Sequence, residues 1–208
     1  GYNFMPTGYG YMSYFGIGQL FEKPLLELAT PFAPLNCDDL FIVQTPSLSN
    51  VFVALCEDGI YTKVGSNDDP WDKVISLTVP DAGEHLNYTK VVIGNEVYIY
   101  RASEANVWVM RAAEDFVPTA LTPNHLTMSA QQGIFRAGAR LGFWDSANST
   151  AWSDVDDKTD FVPDLETGAG AAIFQQIVGK IVNVLAHGNG FMIYATRAIV
   201  HCQRTTDN

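Results

Sequence analysis

One phrase returns four times along this chain, and it constrains the fold more than any other feature. Each copy is an apolar run, a tight polar turn and a second apolar run. The copies are Asn50-Val-Phe-Val-Ala-Leu-Cys-Glu-Asp-Gly-Ile-Tyr-Thr-Lys-Val64, Glu96-Val-Tyr-Ile-Tyr-Arg-Ala-Ser-Glu-Ala-Asn-Val-Trp-Val-Met110, Arg140-Leu-Gly-Phe-Trp-Asp-Ser-Ala-Asn-Ser-Thr-Ala-Trp-Ser-Asp154 and Gly190-Phe-Met-Ile-Tyr-Ala-Thr-Arg-Ala-Ile-Val-His-Cys-Gln203. Anchored on Val51, Val97, Leu141 and Phe191, they step by 46, 44 and 50 residues. One small sheet cannot bury both of its faces alone, so a β-hairpin unit of this period stacks radially on its neighbours. A period of about 40–50 residues is that of propeller blades. The expected fold is therefore all-β and β-propeller-like, with about four blade units of antiparallel hairpins.

The hairpins carry local signals of their own. Asp58-Gly59 lies between apolar runs, a strong hairpin signal, and Gly94-Asn95 reads as the turn of a second hairpin. Leu40–Gln44 and Val74–Val79 read as further strands. Residues 111–132 read as a polar connector around Pro118 and Pro123. Between Phe174 and Leu185 the apolar spacing fits a helix, but β-branched residues and the Gly188-Asn189-Gly190 turn favour a strand. The expectation is a short helical or irregular piece over 170–177, then a strand.

Residues 1–37 differ from the propeller-like domain expected over 38–208. Glycine alternates with aromatics at the start, no charge appears before Glu22, and Pro24, Pro31 and Pro34 block a long helix. This reads as an irregular arm. Left in water, Tyr2, Phe4, Tyr9, Tyr11, Tyr14 and Phe15 would form a sticky surface, so they are expected to pack on the body or on a neighbouring subunit. The chain opens on Gly1, which reads as processing or as a fragment of something longer.

Composition excludes several classes. Twenty-three acidic against 12 basic residues give a net charge of −11. A nucleic-acid-binding surface needs clustered Lys and Arg to neutralise phosphates. No basic–apolar signal peptide and no apolar run of membrane-spanning length is present. Cys37, Cys56 and Cys202 are an odd set without a C-x-x-C pair, which reads as free, buried thiols and a reducing assembly compartment.

The last third carries a resemblance. Its phrases are Arg140-Leu-Gly-Phe-Trp144, Thr150-Ala-Trp-Ser-Asp154, Thr159-Asp-Phe-Val-Pro163, Thr167-Gly-Ala-Gly170, Val178-Gly-Lys-Ile-Val182 and Gly190-Phe-Met-Ile-Tyr194. Over residues 136–203 this resembles the propeller-like virion proteins of short-tailed bacteriophages, in particular tail nozzle and tail-tube proteins. The resemblance implies a virion location in the phage tail and a homo-oligomer ring beside neighbouring tail proteins. It also implies a conduit for DNA ejection, through which DNA passes without specific binding. Family members are much longer than this chain, and four units would make an incomplete propeller unless blades come from elsewhere. A carbohydrate-binding propeller that recognises a host-surface glycan is the alternative, and a sialidase-like glycoside hydrolase the third reading.

The candidate chemistry is sparse. Asp154, Asp156, Asp157 and Asp160 are the densest acidic cluster, and hard cations want several oxygens. The EF-hand pattern is absent, however, and Asp clusters also form solvated turns. The stretch is loosely similar to the Asp-box of sialidase-type propellers, where such residues tie down a turn. A glycosidase needs two facing carboxylates, and nothing selects a pair among Glu57, Glu84, Glu96, Glu104 and Asp145. Arg101, Arg111, Arg136, Arg140, Arg197 and Arg204 are scattered. His85, His125, His187 and His201 show no metal spacing. Trp108, Trp144, Trp152, Tyr98 and Tyr100 could form a sugar platform or a blade-to-blade core. A structural protein is expected, without catalysis, cofactor or metal.

Overall fold

A computed structural model of the chain describes residues 37–45, 50–64, 71–81, 87–126, 128, 131–166, 168–177 and 179–203, and the backbone of 4–7 and 10–13. Among the described residues the fold is all-β, and its one helical element is a single 3-10 turn at Ala112–Glu114. The chain divides into two compact units, Gly1–Val79 and Pro80–Asn208.

In the first unit, β1 (Phe4–Thr7) and β2 (Gly10–Ser13) pair as an antiparallel hairpin, with Phe4 opposite Ser13 and Tyr11 opposite Pro6. The arm is thus not wholly irregular. Aromatic residues favour extended backbone, and two short runs of it suffice for a hairpin. The arm side chains, including the expected oligomer contacts Tyr2, Phe4, Tyr9, Tyr11, Tyr14 and Phe15, lie outside the described residues.

The same unit holds a four-stranded antiparallel meander of β3 (Cys37–Gln44), β4 (Asn50–Cys56), β5 (Gly59–Val64) and β6 (Asp72–Ser76). The Glu57-Asp58 turn joins β4 to β5 as the Asp-Gly signal requires. Ala54, Cys56, Tyr61 and Trp71 form a buried cluster, flanked by Leu40 and Phe52. Two of the cysteines are not free. Cys37 and Cys56 face each other across β3 and β4 and form a disulfide. Sequence separation hid a pairing that strand register creates. Cys202 is the free thiol.

The second unit contains three sheets, each an antiparallel meander in chain order. The first comprises β7 (Tyr88–Ile93), β8 (Glu96–Arg101), β9 (Val107–Arg111) and β10 (Thr119–Leu121). The second comprises β11 (Gln131–Ala137), β12 (Arg140–Asp145), β13 (Ser149–Trp152) and β14 (Gly170–Ile173). The third comprises β15 (Ile181–His187), β16 (Gly190–Ala195) and β17 (Ala198–Cys202). Two of these strands fall where none was expected. The 111–132 connector contributes β10, and the stretch expected to be helical or irregular begins as β14. Both are short edge strands whose partners, β9 and β13, supply the pattern they lack.

The four repeat anchors now have one structural meaning. Val51, Val97, Leu141 and Phe191 are each the second residue of the second strand in their sheets. In all three sheets of the second unit, a glycine with positive φ opens the turn from first to second strand. These are Gly94, Gly138 and Gly188, with φ of 60°, 63° and 55°. A Cβ at any of them would meet nothing, so the left-handed backbone is what demands glycine there.

Packing of the second unit is propeller-like. The first strand of its middle sheet, β11, touches the first strands of both neighbours, β7 and β15. The free edge of β11 is used, since Ile134 N donates to Thr89 Oγ1 on β7 at 2.9 Å. One face of the middle sheet buries Ile134, Leu141, Phe143 and Ala151 against Tyr98, Tyr100, Val107 and Val109. Its other face buries Phe135 and Trp144 against Ile181, Val184, Phe191 and Ile193. Complete burial of such side chains contributes about 1.5–3 kcal/mol each.

Candidate functional site

The acidic cluster lies in the long β13–β14 connection, and its carboxylates hold turns. Asp154 Oδ1 accepts from Asp156 N at 2.9 Å, Asp157 Oδ1 from Thr159 N at 2.8 Å and Asp160 Oδ1 from Val162 N at 2.9 Å. Asp164 repeats the pattern with Glu166 N at 2.8 Å. Each is a side chain mimicking a backbone turn two residues on. The Thr159 hydroxyl also donates to Asp157, and these hydrogen bonds hold the Asp157 carboxyl below its ordinary range. Among the described residues no three His, Cys, Asp or Glu side chains converge as a metal site.

The phrases on either side of this loop are structural as well. Ser153 is fully buried; its amide donates to Leu141 O at 2.8 Å and its Oγ accepts from Leu141 N at 3.1 Å. Ser153 thereby extends the β12–β13 pairing by one residue. Phe161 inserts between the first and middle sheets of the unit, edge-on to Phe143 with ring centroids 5.5 Å apart. Asn124 ties the connector to this loop, its amide donating to Thr159 O at 2.7 Å.

The remaining carboxylates are dispersed. Glu96 accepts from Tyr98 OH and from Arg111 Nε, the latter at 2.6 Å. Burial raises the Glu96 pKa, but the hydrogen bonds from Tyr98 and Arg111 and the Arg111 charge outweigh it and leave the carboxyl below its ordinary value. Burial and the Glu96 carboxylate keep the Tyr98 phenol protonated far above its ordinary range. Glu104 pairs with the buried Arg101. Asp145 Oδ1 accepts from Ala147 N and Ser149 N and shapes the β12–β13 turn. Glu57 sits in the β4–β5 turn, and Glu84 lies outside the described residues. Arg136 donates to Val92 O at 3.4 Å, Arg197 is exposed in the β16–β17 turn, and Arg204 lies outside. No two catalytic-type carboxylates are brought together by these contacts.

Of the histidines, His85 lies outside the described residues and His125 sits in the connector. His187 and His201 meet edge-on with centroids 5.1 Å apart, a contact made by sheet register and invisible in their spacing.

The aromatics split between two roles. Tyr98, Tyr100, Trp108 and Trp144 are buried, and Tyr98, Tyr100 and Trp144 belong to blade-to-blade clusters. Trp152 is different. It is half-buried and forms one wall of a cavity of about 390 Å³ between the middle and last sheets. Ala137, Arg140, Gly168, Ala172 and Phe174 continue that wall; Asn189, Gly190, Phe191, Cys202 and Gln203 form the other. The lining includes residues beside the turn from first to second strand in each sheet, Ala137 and Arg140 in one and Asn189 and Gly190 in the other. Trp152 Nε1 donates to Gly168 O at 3.0 Å, which orients the indole. Arg140 is buried, with 8% of its surface exposed. A Cβ at Gly168 would come within 2.5 Å of the guanidinium, so glycine there makes room for it. Burial raises the Cys202 thiol pKa, as expected of a largely apolar wall.

Sequence reasoning took Arg140, Trp152 and Cys202 separately. They lie on three different strands, and their common signal is position: Arg140 opens the third repeat, Trp152 is near its end, and Cys202 is near the end of the fourth. No family model matches the chain, and no curated protein matches it.

Proposed function

We propose that this chain is a structural protein of a tailed-phage virion, a component of the tail nozzle or tube that assembles as a homo-oligomer. The observation that carries the reading is where the ionisable side chains are engaged. Asp154, Asp157, Asp160 and Asp164 hold turns, Asp58 and Glu96 hold strands together through Lys73 and Arg111, and Glu104 pairs with a buried arginine. Groups held in this way make a wall rigid. The resemblance over residues 136–203 supports the same reading, because its Trp-Ser-Asp and Asp-Phe-Val-Pro phrases supply the strand extension at Ser153 and the plug at Phe161.

In this reading the work is mechanical and electrostatic. Sheets packed face to face resist deformation, since protein interiors are as dense as organic crystals. A net charge of −11 repels a passing polyanion over about 8–10 Å at physiological salt. Neighbouring tail proteins and further copies of the chain supply the remaining surfaces of the conduit.

Quantitative peptide mass spectrometry of purified particles tests this. The expected result is a fixed ratio to the major capsid protein, corresponding to several copies per particle. Absence of the chain from purified particles would overturn the reading.

A further inference from the structure

We infer that the cavity between the middle and last sheets is a binding site for a neutral pyranose, the ring of one sugar residue of a glycan. The inference stands on the cavity and does not require the virion reading.

Size comes first. At about 390 Å³ the cavity falls within the range of small-molecule sites, roughly 300–1,000 Å³. Its composition is that of a site rather than a packing gap, with apolar aromatic faces and a few convergent polar groups. Trp152 and Phe191 are in tilted contact, at 50° with centroids 6.2 Å apart, and Phe174 adds a third ring to the lining. Aromatic rings offer an apolar face to the C–H side of a sugar. The indole is held by its own hydrogen bond to Gly168 O, so little ordering entropy remains to be lost when a ligand stacks on it.

The polar groups match hydroxyls. Arg140 brings a planar guanidinium with five N–H donors to the wall. Asn189 and Gln203 carry side-chain amides, each able to donate and accept. A sugar hydroxyl also does both, whereas a carboxylate would leave the amide donors and acceptors half used. A nucleotide would fit the aromatic faces too, but its phosphates would enter the field of a chain with net charge −11.

Two design features keep the space open. Gly168 leaves room for the arginine, and Ala172 presents only a methyl group to the cavity. Gly190 allows β16 and β17 to approach, since a Cβ there would meet Cys202 O.

Cys202 supplies the readout. It lines the cavity and is the free thiol, Cys37 and Cys56 being bridged. The rate at which iodoacetamide modifies Cys202, followed by intact mass, is measured with the full chain alone and with the methyl glycosides of glucose, galactose, mannose and N-acetylglucosamine. At least one glycoside is expected to slow alkylation severalfold in a saturable manner. Ala172→Trp should abolish that protection by filling the cavity. Asn189→Ala with Gln203→Ala, both on exposed positions, should weaken it severalfold with the melting temperature unchanged. The inference is overturned if no glycoside protects Cys202, or if protection survives both sets of substitutions. Protection by N-acetyltryptophanamide or adenosine but by none of the sugars would also overturn it, marking the cavity as a seat for an aromatic side chain or a base.

Discussion

The indole of Trp144 lies over Gly133, its partner across β11 and β12, so closely that a Cβ at position 133 would sit 2.2 Å from the ring. The next row reverses the order: Phe135 lies over Gly142, where a Cβ would sit 2.4 Å from the ring. Along β13 and β14, Trp152 covers Gly170 in the same manner, with 3.0 Å to the nearest ring atom. The face that packs on the last sheet is thus a checkerboard of rings and bare backbone. It explains why glycines stand in strands that they would otherwise weaken.

Adding one methyl group tests that pattern. Gly133→Ala and Gly142→Ala should each destabilise the chain by about 1–3 kcal/mol through overpacking. Urea denaturation followed by tryptophan fluorescence gives the value. Trp144→Leu in the Gly133→Ala background should recover part of the loss, because the clash then has a shorter partner. Equal stability of Gly133→Ala and the parent would show that the ring does not lie on residue 133.

The carboxylates of Asp58 and Glu96 set a direction for acid. For Asp58, burial raises the pKa, but hydrogen bonds from Lys73 and Tyr61 and the Lys73 charge outweigh it; Glu96 behaves alike through Tyr98 and Arg111. Both native values lie below the ordinary 3.8 and 4.5. Their stabilisation is therefore complete above those ordinary values and is lost as pH falls through the lower native ones. Thermal melts should show the melting temperature declining below about pH 4.5, and Glu96→Gln should make the decline shallower. A melting temperature that rises on acidification would contradict this.

The disulfide is tested by counting. In denaturant without reductant, only Cys202 should take up iodoacetamide; after reduction, Cys37 and Cys56 should react as well. Bridging residues 19 apart in sequence restricts the unfolded chain by about 3 kcal/mol, so reduction should lower the urea midpoint of the first unit. Three alkylated cysteines before reduction would exclude the bridge.

Turn formation by the acidic loop separates two outcomes. Replacing Asp154, Asp156, Asp157 and Asp160 together by Asn retains a side-chain oxygen for each turn and should cost little. Replacement by Ala removes three side-chain acceptors and should cost about 0.5–1.5 kcal/mol for each one. Differential scanning fluorimetry compares them. A melting temperature raised by Ca²⁺ in the parent and not in the Asn variant would show that the loop holds a cation instead.

The repeat was legible because it reports something local. Each anchor marks a second strand, and such strands are long, apolar and preceded by a turn, with Gly94-Asn95 and Gly188-Asn189 announcing two of the three turns in the second unit. Gly138-Ala139 makes the third with a weaker signature. The edge strands were not legible. Thr119–Leu121 is a three-residue strand flanked by Pro118 and Pro123, and Gly170–Ile173 opens on three small residues with Gly170 against Trp152, so neighbours rather than propensity decide their conformation. The same holds for the site. Arg140, Trp152 and Cys202 meet only through register and sheet packing, as do Cys37 with Cys56 and His187 with His201. The acidic loop was legible as turns because an Asx turn needs only two residues.

The proposed role of the aromatic arm is in assembly. Tyr2, Phe4, Tyr9, Tyr11, Tyr14 and Phe15 crowd an uncharged segment. Burying one such side chain on a neighbour contributes about 1.5–3 kcal/mol, enough in sum to offset part of the ordering cost of about 1–2 kcal/mol per residue. Deleting residues 1–20 should leave a folded body, its circular dichroism altered by no more than the loss of the β1–β2 hairpin, that fails to oligomerise in native mass spectrometry. Normal oligomers from the truncated chain would rule the arm out as an assembly device.

The central claim is a structural place in the phage tail, and gold labelling in electron microscopy addresses it most directly. Particles carrying an epitope tag at the C-terminus of this chain would be decorated with a tag-specific antibody and imaged. The account predicts label at the tail, in several copies around its axis. Label on the capsid shell, or particles that bear none while the tagged chain remains free in the lysate, would contradict it.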